Sequence, residues 1–307
     1  MAKPITETTP EATDLYPIRT VCSITGLNPV TLRAWERRYG LIKPRRTPKG
    51  HRLYTQFDID RINEAVRLLD RGIPISQVRQ ILDHRQEQGA VQKETAGHWV
   101  RHIDDMLHAI GMFDEHRLDA LYNEALSLYP VDTVTRYLMI PLLHELGLRW
   151  ASAEGSIAEE HYFGVFLRNK LGARFHHLRV PQTGPRLLAA CLPRESHEIG
   201  LLIFSLMAKI HGCSIVLLGA NMPLTELPRA ARRARCHAIV LAGSKGYDYP
   251  QLPPELKAAV LESPVPVFVG GGYSVHARDV IAAAEAIPLG EDIPHAIKYI
   301  ERVLGES

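Results

Sequence analysis

The residues best suited to chemistry lie between Tyr16 and Tyr54, where cationic side chains are concentrated. This stretch contains nine Lys or Arg residues and one acidic residue, Glu36, so its local charge is +8, whereas the whole chain of 307 residues carries only +2. The remainder of the chain is therefore mildly acidic. A strongly basic segment on an otherwise acidic protein is typical of a DNA-binding module.

The elements that must position these cations are two short helices and a basic loop. Asn28 can cap the second helix, and Pro29 fits its first turn. We predict that this helix runs over residues 30–39 and ends at Gly40. The loop at 44–52 contains too many Pro, Gly and charged residues for a helix, and a strand pattern resumes after it, so we predict a β-hairpin wing.

The segment TLRAWERRYGLIKPRRTPKGHRLY resembles the DNA-binding domain of MerR-family regulators, and the likeness extends over residues 16–85, with further helices expected at 58–70 and 76–85. It implies a dimer on promoter DNA, with the second helix in the major groove and the wing on the backbone. Trp35 and Leu53 are expected in the core. The resemblance assigns DNA contacts to Thr31, Arg33, Arg37, Tyr39, Arg46, Lys49, His51, Arg52 and Tyr54.

The flanking segments and the cysteines help to define the class of protein. Residues 1–14 are acidic and rich in Thr and Pro, which predicts a disordered tail. Residues 87–97 are polar and lack a heptad pattern, so we predict a linker there and expect oligomer contacts in the C-terminal part. No apolar run is long enough to span a bilayer. The four cysteines are scattered, which indicates thiols of a reducing cytoplasm and not a zinc or disulfide site.

From Arg186 onward, short apolar segments alternate with amphipathic ones. The apolar segments predict strands at 186–191, 214–218, 238–241, 265–269 and 286–289. Strands that alternate with helices form a parallel sheet covered on both faces, so we predict a doubly wound, flavodoxin-like α/β domain over 184–307. Ligands of such sheets bind at the carboxyl ends of the strands. The preceding residues, 98–183, read as four helices and predict a helical bundle.

The loops at that sheet edge resemble those of the cobalamin-binding domain of corrinoid proteins. Glu195, His197 and Gly200 match the family spacing of acid, His and Gly, with Glu in the place of the usual Asp. The resemblance implies that His197 is the lower axial ligand of cobalt and that its acidic partner tunes the imidazole. It also implies a cleft for the nucleotide tail, lined by small residues. The remaining residues that it assigns to the cofactor are Gly219, Ser244, Gly270, Gly271 and Gly272.

Within the predicted bundle, nine residues separate Trp150 from the pair Glu160–His161. This spacing is similar to the Wx9EH motif of the CarH/CarA/LitR group of cobalamin-dependent photoreceptor repressors, and with the basic head the likeness covers residues 16–305. It implies adenosylcobalamin as cofactor, with these three side chains near its upper face. The His that follows the Trp in that group is replaced here by Ala151, which cannot bind metal. His161 and His177 are the candidates to substitute for it.

Three hypotheses follow from these residues. The first is a cytoplasmic transcription regulator with cobalamin as ligand, light as signal, and dimers or tetramers that bind promoter DNA. The second keeps the DNA-binding head but makes the C-terminal part a cobalamin-free sensor, either a protein-interaction module or a haem or redox domain. The third is a corrinoid subunit of an enzyme. We predict that the chain is not an enzyme, because a corrinoid subunit of an enzyme does not need a basic DNA-binding head. The sequence also contains no separate acid–base pair or nucleophile.

Overall fold

The computed structural model describes residues 15–83, 91–151, 156–178 and 181–305. The predictions for the tail at 1–14 and for the first part of the linker lie outside the described residues. The chain divides into two compact units, residues 1–162 and 163–307. The sequence predicted three folded domains, whereas the structure joins the basic head and most of the helical region in the first unit.

The first unit begins with a helix-turn-helix and a small sheet. Its elements are β1 (Tyr16–Pro17), α1 (Ile18–Thr25), α2 (Pro29–Ala34), β2 (Arg45–Arg46), β3 (Arg52–Tyr54), α3 (Gln56–Asp70) and α4 (Ile75–Asp83). Strand β3 lies between β1 and β2 and is antiparallel to both. The hairpin of β2 and β3 is the predicted wing.

Helix α2 forms for the reasons that the sequence indicated. The side chain of Asn28 accepts a hydrogen bond from the backbone N–H of Thr31 at 2.8 Å, and Pro29 occupies the first turn. The helix continues through a π-helical turn at Trp35–Tyr39 and ends at Gly40. Trp35 is fully buried, as predicted.

A helical region follows within the same unit. It consists of α5 (Val91–Gly111), α6 (Glu115–Leu128), α7 (Val131–Val134) and α8 (Ile140–Ala151), with a π-helical turn at Thr135–Met139 between the last two. The linker prediction is wrong at residues 91–97, because α5 begins seven residues before the expected start at 98. Residues 91–96 contain no Gly or Pro, so the helix extends outward from its packed part at little cost.

Helix α6 packs directly against the second helix of the head. The indole N–H of Trp35 donates a buried hydrogen bond to the carbonyl of Leu128, at 2.8 Å. A second link joins the end of α3 to the helical region, because the hydroxyl of Tyr137 donates to the carbonyl of Asp70 at 2.6 Å. These contacts hold the helix-turn-helix against the helical region within the first unit.

The second unit contains the end of α9 (Ile157–His177) and a five-stranded parallel sheet. Its strands are β4 (Arg186–Cys191), β5 (Ser214–Gly219), β6 (Ala238–Ala242), β7 (Val267–Gly270) and β8 (Ile287–Gly290). The helices that follow them are α10 (Ile199–Ile210), α11 (Leu227–Ala234), α12 (Leu252–Glu262), α13 (Gly272–His276), α14 (Arg278–Ala283) and α15 (Ile293–Gly305).

The strand order is β5-β4-β6-β7-β8, which is the flavodoxin-like order, so the predicted fold class is confirmed. The central strand β4 is buried on both faces from Leu187 to Cys191, which explains its continuous apolar sequence. All five strands are parallel, but the strand order reverses between β4 and β6, since β5 follows β4 on one side and β6 to β8 lie on the other. The crevice at the carboxyl ends of β4 and β6 is the expected ligand position. Among the described residues, no helix combines the length and apolarity needed to cross a membrane.

Candidate DNA-binding surface and cofactor site

The head presents an exposed cationic surface formed by its second helix and its wing. Arg33 and Arg37 lie on α2 and the π-helical turn, and both are exposed. Arg46, Lys49 and His51 are exposed on the wing. Guanidinium groups on such a helix can bind guanine edges or phosphate groups, whereas a wing contacts the backbone.

The acidic residue of the head, Glu36, connects the wing to the second helix. Its two carboxylate oxygens accept hydrogen bonds from Arg46 at 2.9 Å and from Arg52 at 2.5 Å. Burial alone would raise the pKa of Glu36, but these two guanidinium groups outweigh burial and lower it. The carboxylate therefore stays ionised and fixes the wing against the helix, so Arg52 has a structural partner as well as a predicted DNA contact.

Three of the predicted DNA contacts need correction or revision. Thr31 and Tyr54 are fully buried in the head, so the prediction that these side chains contact DNA is wrong in this structure. Tyr39 is half-buried, and its pKa is raised mainly by burial, with a further contribution from Glu124 of α6. The side chains of Thr31, Tyr39 and Tyr54 pack in the interior of the head. The many cations near them in the sequence suggested DNA contact, but charge does not indicate whether a neighbouring residue is buried. The prediction had omitted four exposed cations between Tyr16 and Tyr54: Arg19, Arg38, Lys43 and Arg45.

Replacing Arg33 with alanine should weaken binding to the operator by about 1–3 kcal/mol if its guanidinium group reads a base. Random DNA of the same length should lose less, because it offers no matched base to this side chain. Fluorescence anisotropy with both duplexes at one fixed salt concentration measures the difference. An equal loss on both duplexes would restrict Arg33 to phosphate contact.

At the carboxyl edge of the sheet, Glu195 organises the loop that follows β4. One oxygen of its carboxylate accepts hydrogen bonds from the backbone N–H of His197 at 2.8 Å and from the Nδ1 of that residue at 2.7 Å. The other oxygen accepts from the backbone N–H of Ser244, which follows β6, at 2.7 Å. Glu195 thus joins the ends of β4 and β6, where the strand order of the sheet reverses.

The environment of Glu195 also determines its charge and the proton position on its partner. Burial acts to raise the pKa of Glu195, yet hydrogen bonds from Ser244 and His197 outweigh burial, so the pKa is lowered. An ionised carboxylate accepts a proton donor, which favours the His197 tautomer with hydrogen on Nδ1. The lone pair then lies on Nε2. Because 65% of this side chain is exposed, a metal centre could reach that atom from solvent.

Asn221 was not predicted as a site residue, although it supports the same loop. Its side-chain oxygen accepts from the backbone N–H of Arg194 at 2.7 Å, and its own N–H donates to the carbonyl of Glu195 at 2.9 Å. Its backbone is left-handed, with φ of 51°, a conformation that Asn tolerates better than most residues. An Asn just after a strand that ends in Gly was the available sequence signal.

The three glycines after β7 pack tightly against the segment that follows β6. A Cβ atom on Gly271 would lie 2.4 Å from the carbonyl oxygen of Gly243, and one on Gly272 would lie 2.8 Å from the backbone N of Lys245. Gly270 has only ordinary contacts. The sequence predicted that these glycines leave room for a cofactor tail. The structure gives Gly271 and Gly272 a role in close packing of the chain, and their contact with a cofactor stays a prediction.

A cavity of about 320 Å³ opens beside the triple glycine. Gly290 lines it, and its carbonyl accepts the N–H of Gly271 at 2.9 Å. Ser274 also lines it, and the hydroxyl of this residue is buried without a hydrogen-bond partner among the described residues. A space of this size with an unsatisfied hydroxyl at its wall can accept a small ligand group with a polar atom.

The other predicted cofactor residues lie in different environments. Gly219 ends β5 next to the carboxylate of Glu198, which pairs with Arg168 at 2.6 Å. Gly200 is exposed in the first turn of α10, and no atom would contact a Cβ atom there. Within the described residues, no group of three or more His, Cys, Asp or Glu side chains is arranged to hold a metal ion.

The helical motif lies in the first unit. Glu160 is half-buried and His161 is exposed, both near the start of α9, whereas the side chain of Trp150 lies outside the described residues. A cavity of about 570 Å³ is lined by Arg149 and Glu159, which directly adjoin the motif in sequence, and by Asp104, Leu107, His108, Gly111, Met112 and Glu145. This lining supplies both cationic and anionic hydrogen-bonding groups.

Comparisons with known proteins bear on both surfaces. A family model described as MerR HTH family regulatory protein matches residues 16–85. A second, described as B12 binding domain, matches residues 102–174. The HTH-type transcriptional repressor CarH of Myxococcus xanthus is 32% identical over 268 residues, covering 83% of this chain and 88% of that protein.

The chain belongs to the CarH family of MerR-type transcription regulators. The repressor CarA of Myxococcus xanthus is 28% identical, over 86% of this chain and 90% of that protein. The monomethylamine corrinoid protein of Methanosarcina barkeri has a similar fold, with a TM-score of 0.54 at 18% identity, over 66% of this chain and 98% of that one. The chain is thus a DNA-binding regulator with a cobalamin-binding domain.

The family model for the B12 binding domain agrees with the interpretation of the helical region as part of the cofactor-binding half. The match to the B12 binding domain covers the C-terminal half of α5, all of α6 to α8 and most of α9, and it ends before the first strand of the sheet. The helices therefore belong to the cobalamin-binding part of the chain. The same helices hold the head through Trp35 and Leu128, so one element contacts the DNA-binding helix and belongs to the cofactor domain.

Proposed function

We propose that the chain is a cobalamin-responsive transcription regulator whose C-terminal half binds adenosylcobalamin and transmits its state to DNA binding. The observation that carries the proposal is the pair formed by His197 and Glu195. An exposed imidazole lies at the point where the strand order of the sheet reverses, and a buried, ionised carboxylate holds its Nδ1 at 2.7 Å. This arrangement is that of a metal-binding imidazole oriented by a carboxylate.

The residues at the sheet edge fit a corrinoid in three respects. The imidazole of His197 could bind a cobalt that is already held by its macrocycle, because imidazole nitrogen is a suitable ligand for such a metal. The surface around Gly200 is open, so a flat ring could lie over the start of α10. The cavity beside Gly290 and Ser274 offers space and an unsatisfied hydroxyl for the nucleotide tail.

We assign the upper face of the cofactor to the helical motif. Adenosylcobalamin supplies a cobalt–carbon bond that visible light can break. Trp150, Glu160 and His161 would shield that side from water, and the cavity lined by Arg149 and Glu159 would supply hydrogen bonds to the adenosyl group. Ala151 provides no ligand, so this chain would not form a bis-imidazole state through residue 151.

The contact between α6 and the head supports a direct route for the signal. Trp35 belongs to the π-helical turn that continues α2, and its indole is hydrogen-bonded to the carbonyl end of α6. A shift of α6 would therefore move the helix that carries Arg33 and Arg37. We propose that the cofactor-bound form assembles dimers or tetramers in the cytoplasm and represses by binding promoter DNA, where linked heads gain roughly 100-fold or more in effective affinity.

The test combines absorbance, size exclusion and gel shift on the purified protein with adenosylcobalamin. In the dark we expect a bound corrinoid spectrum, a larger species and a retarded promoter fragment. Green light should change all three. If the protein binds cobalamin but light changes none of the three measurements, the signal would be the presence of the cofactor and not light. Absence of a corrinoid spectrum would refute cobalamin binding, while promoter retardation would still report on the head.

A second function is favoured by the tight packing of Gly271 and Gly272 against residues 243–245. This packing and the loss of the upper histidine at Ala151 suit a sheet that keeps its shape without cofactor and acts as a cobalamin-free sensor. Under this alternative, a His197→Ala variant would regulate its promoter normally. A regulatory defect of that variant would exclude the alternative.

A further inference from the structure

Helix α11 presents a cationic face that neither the head nor the candidate cofactor site uses. Leu227, Pro228 and Ala231 are buried against the sheet domain. On the opposite side, Arg229, Arg232 and Arg233 are all exposed. Their spacing of three and four residues places these guanidinium groups on one surface of the helix. Arg235, the residue after the helix, is also exposed and extends this arginine face.

No acidic side chain in the surrounding sequence balances this arginine face. Between Glu226 and Asp248 the chain contains no Asp or Glu. Among the described residues, none of these four arginines forms an ion pair. Like charges at these helical spacings repel one another and lower the free energy of unfolding. No contact among the described residues offsets this repulsion. Such a repulsive cluster is expected where a bound anion neutralises the positive charge.

The arginine face dominates the charge of its unit. Residues 163–307 contain sixteen Lys or Arg and twelve Asp or Glu, a net charge of +4, which equals the charge of the four arginines alone. Because α11 follows β5 and leads into β6, its C-terminal end lies toward the amino edge of the sheet. Exposed Arg186 and His237 begin the strands at that edge. The surface therefore points away from the edge that carries His197.

We propose that the arginine face of α11 is a second DNA-binding surface that contacts the phosphate backbone without reading sequence. The partner follows from charge and chemistry. The chain is a DNA-binding regulator, a DNA duplex is a dense array of negative charge, and the planar guanidinium group matches phosphate oxygens with two hydrogen bonds. The surface would hold DNA that flanks the operator or passes between heads of an assembly.

The salt dependence of DNA binding tests this surface in the full-length protein. Each phosphate contact that is lost should reduce the slope of log K against log salt by about 0.9, so an R232Q/R233Q variant should lose about 1.8. Its affinity at 0.15 M salt should fall roughly thirty-fold, on operator and on random DNA alike. A matched K257Q/K298Q variant removes the same charge from exposed positions on α12 and α15 and should keep the wild-type slope.

A wild-type slope in the R232Q/R233Q variant would overturn the proposal. An equal decrease of the slope in both double variants would also overturn it, because the effect would then come from the overall charge of the protein. Circular dichroism and thermal unfolding verify that the variants are folded. Should the double variant fail to fold, R229Q removes one cation of the same face, and its slope should fall by about 0.9. Because the wild-type protein retains its head, operator binding itself is established in the same experiment.

Discussion

A His197→Ala variant is expected to lose adenosylcobalamin during gel filtration, whereas the wild-type protein keeps it. Changing an outer partner of a metal ligand typically costs about 10–100-fold in affinity, so removal of the ligand itself should cost at least that much. Glu195→Gln should show the smaller loss, because the imidazole remains but its orienting charge is gone. The retained cofactor is measured by the ratio of visible to protein absorbance after the column.

His176→Ala is the matched control for this prediction. It removes an exposed imidazole from the same unit, at the end of α9 and with no part in the loop after β4. We expect wild-type retention of cofactor in that variant. Retention and spectrum unchanged in His197→Ala would reject this imidazole as the cobalt ligand, and an equal loss in His176→Ala would indicate a general effect on the fold.

A Gly271→Ala variant should be among the most destabilising single substitutions in the sheet domain. The new Cβ atom would lie 2.4 Å from the carbonyl oxygen of Gly243, which is backbone and cannot rotate away, and φ is +84°. With φ of +84° and ψ of −177°, a conformation found essentially only in Gly, the backbone of a residue with a side chain costs roughly 1–3 kcal/mol. Overpacking adds about 1–3 kcal/mol, so we expect a total near 3 kcal/mol. Urea unfolding monitored by circular dichroism measures it.

Gly290→Ala separates the two contributions to that loss. Gly290 also has a positive φ, of +75°, but no atom lies within 4 Å of the position that its Cβ would occupy. The Gly290→Ala substitution should therefore lower the free energy of unfolding only by the cost of placing alanine in this backbone conformation, about 1–2 kcal/mol. Equal losses in the two variants would contradict the close approach of residue 271 to residue 243.

Local sequence features account for the elements that the sequence predicted well. The cap at Asn28, the stop at Gly40 and the charge of the wing act over a few residues, so the head was recognisable before any contact was known. The strands of the second unit were predicted within two residues at each end, because buried parallel strands are short and continuously apolar. The expectation of a linker at 91–97 failed because polar residues can also extend a helix.

The sequence by itself determined the fold class, the basic head and the candidate imidazole, because charge, capping and the alternation of apolar segments are properties of neighbouring residues. Only the tertiary structure decided that Thr31 and Tyr54 are core residues and that Trp35 is bonded to α6. It likewise gave Gly271 a packing role against Gly243. These facts depend on which distant segments meet, and burial or close approach between segments far apart in sequence leaves no periodic pattern in the chain.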